Sequence, residues 1–523
     1  MRSTVERMHA AASEGGSGGR TKPGTYLGDM IEGAEVMRVS GRADARILAV
    51  AYDSRRVMPG ALFFALPGEK ENGIRFVGDA LARGAVAIAS LHPRPAEIPQ
   101  AVTWVELAPG KERQALARAA ANFYEHPASA LALVGVTGTN GKTTTAYLVD
   151  SILRAAGRTS ALIATTGYRT PRGSRTGANT TPESLDLQQM FAEVRYAGGT
   201  HAVLEASSHA LAMDRLWGCH FHVAVFTNLT RDHLDYHKTF EAYFSAKRRL
   251  FEGTGASAPD VAVLNTDDEY SSRLEGLSPR TVTYGLAAAA DITAKKFELG
   301  SDALEFTAQT PSGSIQARSR LVGRMNAYNI LGAIGAGIGL DIPAAKIEEG
   351  IANLEHVPGR FERVDEGQPF RVFVDYAHTD DALRNLISTA RELGSGGRII
   401  TVFGAGGERD RTKRPLMGEA AGSLSDLVVL TSDNPRSEDP LRIINDVIVG
   451  LQKTNVKYKV EPDRERALAI ALGEARPGDI VLLAGKGHET YQILREGAIG
   501  FDDREKARAI LRRKGFGKPR ARG

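Results

Sequence analysis

Short apolar runs recur along the 523 residues, each closing on a cluster of polar ones, with helical patterns between them. Residues 131–136, 202–205, 223–226 and 261–265 are too short for buried helices and read as strands of a parallel sheet covered on both faces. A second series follows the punctuation at His356-Val357-Pro358-Gly359-Arg360, with strands at 372–375, 399–403, 427–431 and 480–484. Helices near 380–393, 414–424, 440–452 and 463–472 alternate with them, as in a doubly wound unit. The N-terminal part carries strand-like runs at 47–50, 61–66 and 85–89, then a helix over 111–124 that ends at His126-Pro127. The pattern predicts an α/β chain divided at 25–127, 128–357 and 358–511. Residues 1–24 are Gly/Ser-rich and expected to be disordered. Residues 512–523 form a basic tail expected to be solvated.

Composition narrows the class. Hydrophobic content of 42% and charged content of 24% are those of a soluble globular chain. There is no run of 18 apolar residues and no apolar signal core, so neither a membrane span nor secretion is expected. The single Cys219 excludes an intrachain disulfide and fits a reducing cytoplasm. Outside 512–523, which hold six Lys/Arg and no acid, 60 basic residues face 62 acidic ones. That balance argues against a nucleic-acid-binding surface.

The candidate chemistry begins where the 131–136 run meets Gly138-Thr139-Asn140-Gly141 and then Lys142-Thr143-Thr144, which opens an apolar-periodic helix. Strand, glycine turn and helix N-terminus together form an anion site in which backbone N–H groups meet a polyphosphate. Lys142 is expected on the outer phosphates and the Thr143 hydroxyl on Mg2+. The longer phosphate-loop pattern needs Gly at 136, which is Val; Gly135 comes one place early. Glu205, ending a buried run beside Ser207-Ser208-His209, is poorly explained by packing and offers a hard oxygen ligand. The segment from Thr227 to His237 reads equally as a metal-edge loop or as a polar loop with capping Asp. Four further polar loops, around Asp375–His378, 404–410, 432–436 and 485–489, follow strands and predict a site at one sheet edge.

Seven motifs in order resemble the Mur ligase family: G-T-N-G-K-T at 138–143, N-T-T at 179–181, E-A-S-S-H at 205–209, D-H-L-D-Y-H at 232–237, Y-A-H-T at 376–379, D-N-P-R at 433–436 and G-K-G-H-E at 485–489. The resemblance covers about 45–505. It implies a three-domain architecture: a UDP-binding α/β domain, a central P-loop ATP-binding domain with a parallel sheet, and a C-terminal Rossmann-like domain that binds the amino acid. It also implies ATP- and Mg2+-dependent amide ligation on small-molecule substrates, by a cytoplasmic enzyme expected to be a monomer. D-N-P-R resembles the members that add meso-2,6-diaminopimelate to the D-Glu side-chain carboxylate of UDP-N-acetylmuramoyl-L-Ala-D-Glu.

The resemblance implies a role for each motif residue. Gly138, Thr139, Asn140, Gly141, Lys142, Thr143, Thr144, Asn265, Arg360 and Asp375 would contact ATP, with His378 close by. Thr143, Glu205 and His233 would hold magnesium. Lys247, which by itself reads as an exposed helix lysine, would be carbamylated and serve as an anionic ligand. Ser54, Asn179, Thr180, Thr181, Ser207 and Arg215 would hold the UDP-sugar dipeptide, with Met213 where Gln is usual. Arg436, aided by Arg409, would clamp the distal carboxylate of diaminopimelate beside Asp433, Asn434 and Pro435, while Glu489 and the Gly485 carbonyl would take its ammonium. Lysine addition is the nearest competing expectation. A folylpolyglutamate-synthetase-like ligase and a P-loop regulatory ATPase stand further off.

Overall fold

The computed structural model describes residues 25–68, 71–300, 303–394 and 396–517. The segment 1–24 and the basic residues Lys518, Arg520 and Arg522 lie outside the described residues. The chain divides into two compact units, one ending at Phe123 and the other starting at Tyr124. No described helix is long and apolar enough to cross a membrane.

The first unit is built on a five-stranded sheet in the order Val36–Ser40, Thr103–Leu107, Ala85–Ser90, Ala61–Ala65, Ala49–Ala51. Only the first pair is antiparallel. The run expected at 47–50 is broken: Leu48 is exposed between Arg46–Ile47 and Ala49–Ala51. Phe63 and Trp104 fill the core. Ser54 opens a one-turn 3-10 helix capped by Asp53, whose carboxylate accepts from the Arg55 N–H.

The second unit holds two sheets. Six parallel strands form the middle of the first, in the order Ser160–Ala164, His201–Glu205, Ala132–Thr137, Val223–Phe226, Val261–Asn265, Arg280–Gly285. Gly135 lies in the central strand, where a Cβ would stand 2.9 Å from the Phe221 ring. Its place is thus set by packing, which accounts for its being one residue early for a phosphate loop. The helix Lys142–Ala155 packs on Ala344–Asn353, where Gly350 allows close approach and Ser151 Oγ donates to the Gly350 carbonyl at 2.7 Å. An antiparallel meander, Ile292–Leu299, Leu304–Thr310 and Gly313–Ser319, extends one edge. Leu304, Phe306 and Ala308 are buried at alternate positions along its middle strand, a period-two pattern too short to mark a strand in the sequence.

The second sheet runs in the order Glu362–Arg363, Arg371–Asp375, Ile480–Ala484, Ile399–Phe403, Leu427–Leu430, Lys457–Val460, parallel except at its first edge. The four loops predicted to share an edge all follow its parallel strands. Residues 128–357 and 358–511 therefore each carry their own sheet, although the two sheets belong to one compact unit. Arg512 and Arg513, expected in the basic tail, instead close the helix Asp503–Arg513, where they pair with Glu366 and Glu465.

One buried ion pair fastens the functional edge of the second sheet. Arg464 donates to both oxygens of Asp503, at 2.8 and 2.6 Å, and to the Ala484 carbonyl at 2.9 Å. Neither side chain is exposed at all. Removing one partner of such a pair leaves an uncompensated charge, at a cost of about 3–5 kcal/mol. Arg464→Ala is therefore expected to lower the urea midpoint of the second unit sharply. A loss under about 1 kcal/mol would show that the pair contributes little.

Candidate active site

The phosphate loop is held by its glycines. Gly138 and Gly141 have φ of 145° and 85°, and a Cβ at either would collide with Thr227 Oγ1 or Asn329 Oδ1. Thr139 Oγ1 donates to the Thr230 carbonyl at 3.1 Å, and the Asn140 N–H to Asn228 Oδ1 at 2.9 Å. Lys142 Nζ folds back onto the carbonyls of Gly138 and Thr139 at 3.0 and 2.8 Å. Burial pushes its pKa below the usual lysine value. Thr143 and Thr144 are buried in the first helical turn, on the wall of a cleft of about 260 Å³.

Glu205 is buried at the end of the neighbouring strand. Its Oε1 accepts from Thr143 Oγ1 at 2.8 Å and from the Thr165 N–H at 2.7 Å, and its Oε2 from Thr165 Oγ1 at 3.1 Å. The expected dipeptide residues gather beside it. Thr180 Oγ1 lies 3.1 Å from Thr165 Oγ1, while Thr181 Oγ1 donates to the Glu205 carbonyl at 2.6 Å and lies 3.0 Å from Ser207 Oγ. Arg215 reaches the Thr181 carbonyl at 2.9 Å, with the Met213 sulfur 3.5 Å from its Nη2. The Asn179 carbonyl accepts from the Tyr168 hydroxyl. Ser54 belongs to the first unit.

Lys247 corrects the reading from sequence alone. It is 1% exposed, with Nζ 2.7 Å from the Gly138 carbonyl and 4.4 Å from the Tyr243 ring centroid. Burial, with Lys142 nearby, lowers its pKa well below the ordinary lysine value. His233 has Nε2 3.3 Å from Asp232 Oδ2, and burial holds it below the ordinary histidine range, so it is neutral at pH 7. Its ring stacks edgewise on His209 at 4.7 Å, with Tyr236 and His237 alongside. The segment after Phe226 thus lines the cleft and also contains the short helix Leu234–His237.

The second sheet completes the cleft. Arg360 Nη2 donates to Thr143 Oγ1 at 3.0 Å, and its guanidinium lies over the Tyr376 ring at 4.7 Å. Its Nε is buried without a hydrogen-bond partner. Asp375 accepts from the Phe361 and Ala377 N–H groups, each at 2.8 Å, and burial raises its pKa. Asp381, to which sequence reasoning gave no role, accepts from Asn140 Nδ2 at 2.7 Å and Thr230 Oγ1 at 2.9 Å. Thr379 caps the helix Asp380–Leu393, which leaves the Asp381 carboxylate for this crossing contact. Asn265 departs from expectation: its amide donates to the Thr227 carbonyl at 2.7 Å, it is buried, and it is not among the residues lining the cleft.

Gly485 N–H donates to the Asp375 carbonyl at 3.0 Å, so the last loops adjoin the cleft. Lys486, another residue that sequence reasoning passed over, is fully buried. Its Nζ lies 2.8 Å from Asn434 Oδ1, 3.0 Å from Glu489 Oε2 and 3.1 Å from Asp433 Oδ1. Asn434 Nδ2 also donates to Glu489 at 3.0 Å. Arg436, at φ 55°, donates to the Gly407 carbonyl at 2.7 Å. Burial, then Arg409, lowers its pKa. It neither caps the following helix, which Asp439 does, nor holds Glu438, which pairs with Arg414. The Arg409 guanidinium donates to the Glu408 carbonyl at 3.2 Å, and the Pro435 carbonyl packs against Gly407.

Comparison with known proteins agrees with this layout. Three family models match: the Mur ligase middle domain at 136–337, the Mur ligase glutamate ligase domain at 359–487, and the Mur ligase family catalytic domain at 46–133. A UDP-N-acetylmuramoyl-L-alanyl-D-glutamate–2,6-diaminopimelate ligase from Solibacter usitatus is 54% identical over 94% of this chain and 99% of its own length. Its namesake from Geobacillus thermodenitrificans is 45% identical over 89% and 95%. A solved structure of a ligase of that name is 32% identical, with a TM-score of 0.64 over 94% of this chain and 99% of its own. MurF from Thermotoga maritima, solved with ADP, shares the fold at 20% identity and a TM-score of 0.59, covering 89% and 97%. With a phosphate loop on one sheet and its cleft completed from a second, the chain belongs to the Mur ligase family.

Proposed function

We propose that the chain joins an amine of meso-2,6-diaminopimelate to the D-Glu γ-carboxylate of UDP-N-acetylmuramoyl-L-Ala-D-Glu, using ATP, as a cytoplasmic monomer in peptidoglycan precursor synthesis. The observation that carries this reading is that Asp375 lines the phosphate-loop cleft while its carbonyl accepts from the Gly485 N–H, which opens the Gly485–Glu489 loop that Lys486 ties to Asp433 and Asn434. The names of its relatives support the same substrates.

In the first step a γ-carboxylate oxygen bonds to the γ-phosphorus of ATP as the bond to ADP breaks. In the second the amine attacks the acyl carbon and phosphate leaves. Both steps bring anions together, so positive charge and positioning supply most of the catalysis. Lys142 neutralises the outer phosphates, and Arg360 brings a second cation to the same place. Thr143 Oγ1 and Glu205 Oε1, hard oxygens 2.8 Å apart beside the loop, fit Mg2+. Bound there, Mg2+ would neutralise phosphate oxygens. His233, neutral and near Asp232, offers a further ligand.

Lys247 is suited to carbamylation. A depressed pKa favours the free amine, which is the form that attacks carbon dioxide; the new N–C bond forms, one amine proton leaves to solvent, and the neutral amine becomes an anionic carbamate with oxygen donors. At the amino-acid end, Arg436 and Arg409 offer planar donors to a distal carboxylate. Glu489 and the Gly485 carbonyl serve the ammonium. Lysine lacks that carboxylate, so the two arginines favour diaminopimelate over it.

Lys247→Ala is expected to lose at least 10²-fold in kcat and to regain part of it in added formate or acetate. Wild-type turnover by that variant would refute the carbamate role. Asp381→Ala is expected to raise KM for ATP about tenfold, because two hydrogen bonds to a half-exposed carboxylate are worth about 1–2 kcal/mol. An unchanged KM would mean that the crossing contact does not support the nucleotide-bound state. Arg436→Ala is expected to lower kcat/KM for meso-diaminopimelate by roughly 10²-fold, with smaller effects on ATP and UDP-dipeptide kinetics. A folded variant that keeps the wild-type preference for diaminopimelate over L-lysine would contradict the assignment.

A further inference from the structure

A second group of metal-ligating side chains lies at the opposite edge of the central sheet. His222 and Asp260 directly precede the strands Val223–Phe226 and Val261–Asn265, whereas the catalytic loops follow the other ends of the sheet's strands. His220 stands two residues before His222, and Phe221 between them is buried. Asp260 sits between the rings, with His220 Nε2 3.2 Å from Oδ1 and His222 Nδ1 3.3 Å from Oδ2. One ligand atom from each of the three residues can be chosen so that all lie within 4.8 Å of one another.

The backbone beneath this group is fixed. Asp260 N–H donates to the Phe221 carbonyl at 3.2 Å, Val261 N–H to the His222 carbonyl at 2.9 Å, and His222 N–H to the Leu133 carbonyl at 2.9 Å. Convergence of the three side chains thus needs only rotamer adjustment. Ser257 Oγ lies 3.0 Å from His220 Nδ1, which leaves Nε2 facing Asp260. A polar partner on the far ring nitrogen is how metal-binding histidines are oriented. Ligands on a tetrahedral Zn2+ with bonds of 2.0–2.1 Å stand about 3.3 Å apart; the three side chains, each offering one atom within 4.8 Å of the others, would draw slightly together on such an ion. The side chains are 36–51% exposed, so an ion can enter from solvent and keep water ligands.

We propose that His220, His222 and Asp260 form a site for a divalent transition-metal ion, separate from the nucleotide's Mg2+. Two imidazoles and one carboxylate select Zn2+, Ni2+ or Co2+ over Mg2+ and Ca2+. The ion would tie together the segments that enter two adjacent strands of the ATP-binding sheet.

Calorimetric titration of the full-length protein with Zn2+, in saturating Mg2+ and a non-hydrolysable ATP analogue, tests this site. Wild type is expected to bind one Zn2+ that His222→Gln and Asp260→Asn each bind at least tenfold more weakly. Zn2+ is expected to raise the Tm of the wild type and not of the variants. Both variants should retain ligase activity in metal-chelated buffer supplemented with Mg2+. Equal Zn2+ binding by wild type and a folded His220→Gln/His222→Gln variant would overturn the proposal. So would the absence of saturable wild-type binding, or variants that lose Tm without losing Zn2+.

Discussion

Two buried amines, Lys142 and Lys247, converge on the carbonyl of Gly138, at 3.0 and 2.7 Å. A second charge at one acceptor in a buried place is repelled, and with burial this lowers the Lys247 pKa well below the ordinary lysine value. The loop must also keep its left-handed glycines, because Thr227 and Asn329 fill the space any side chain there would need. The fold around it, from Gly135 in the central strand to Gly350 against the loop's helix, serves to hold this geometry.

The second sheet answers the first with charge and hydrogen bonds rather than a broad apolar seam. Arg360 reaches Thr143, and Asp381 reaches Asn140 and Thr230. Contacts of this kind are directional, and all three end on residues of the phosphate-loop cleft or its neighbour Thr230. At the loop-bearing edge of the second sheet Arg464 and Asp503 lock the strand end from which the Gly485–Glu489 loop starts. There Lys486 lies between Asp433 and Glu489, at 3.1 and 3.0 Å, so one buried cation serves both carboxylates.

Much of this was legible in the sequence because buried parallel strands are written as apolar runs and their ends as polar clusters. The strands 223–226, 261–265, 399–403 and 480–484 and the phosphate loop follow directly from that pattern. What was hidden depends on where a side chain goes after folding. Lys247 looks exposed in Ala246-Lys247-Arg248-Arg249, and only the packing of its helix against the loop buries it. Asp381 reads as a helix-start acid, yet Thr379 already caps that helix. Asn265 ends a strand as a ligand residue would, but its amide is consumed by a neighbouring carbonyl. The meander over 292–319 alternates too briefly, and with too many exposed polar positions, to stand out from loops.

In a three-substrate ligation phosphate appears only when carboxylate, amine and ATP share the cleft. Steady-state phosphate release with ATP, Mg2+ and UDP-N-acetylmuramoyl-L-Ala-D-Glu measures it most directly, with either meso-diaminopimelate or L-lysine as the amine. Rapid release with meso-diaminopimelate, and little with L-lysine or with any one substrate omitted, is the predicted result. Release that is indifferent to the UDP-dipeptide, or faster with L-lysine than with meso-diaminopimelate, would contradict it.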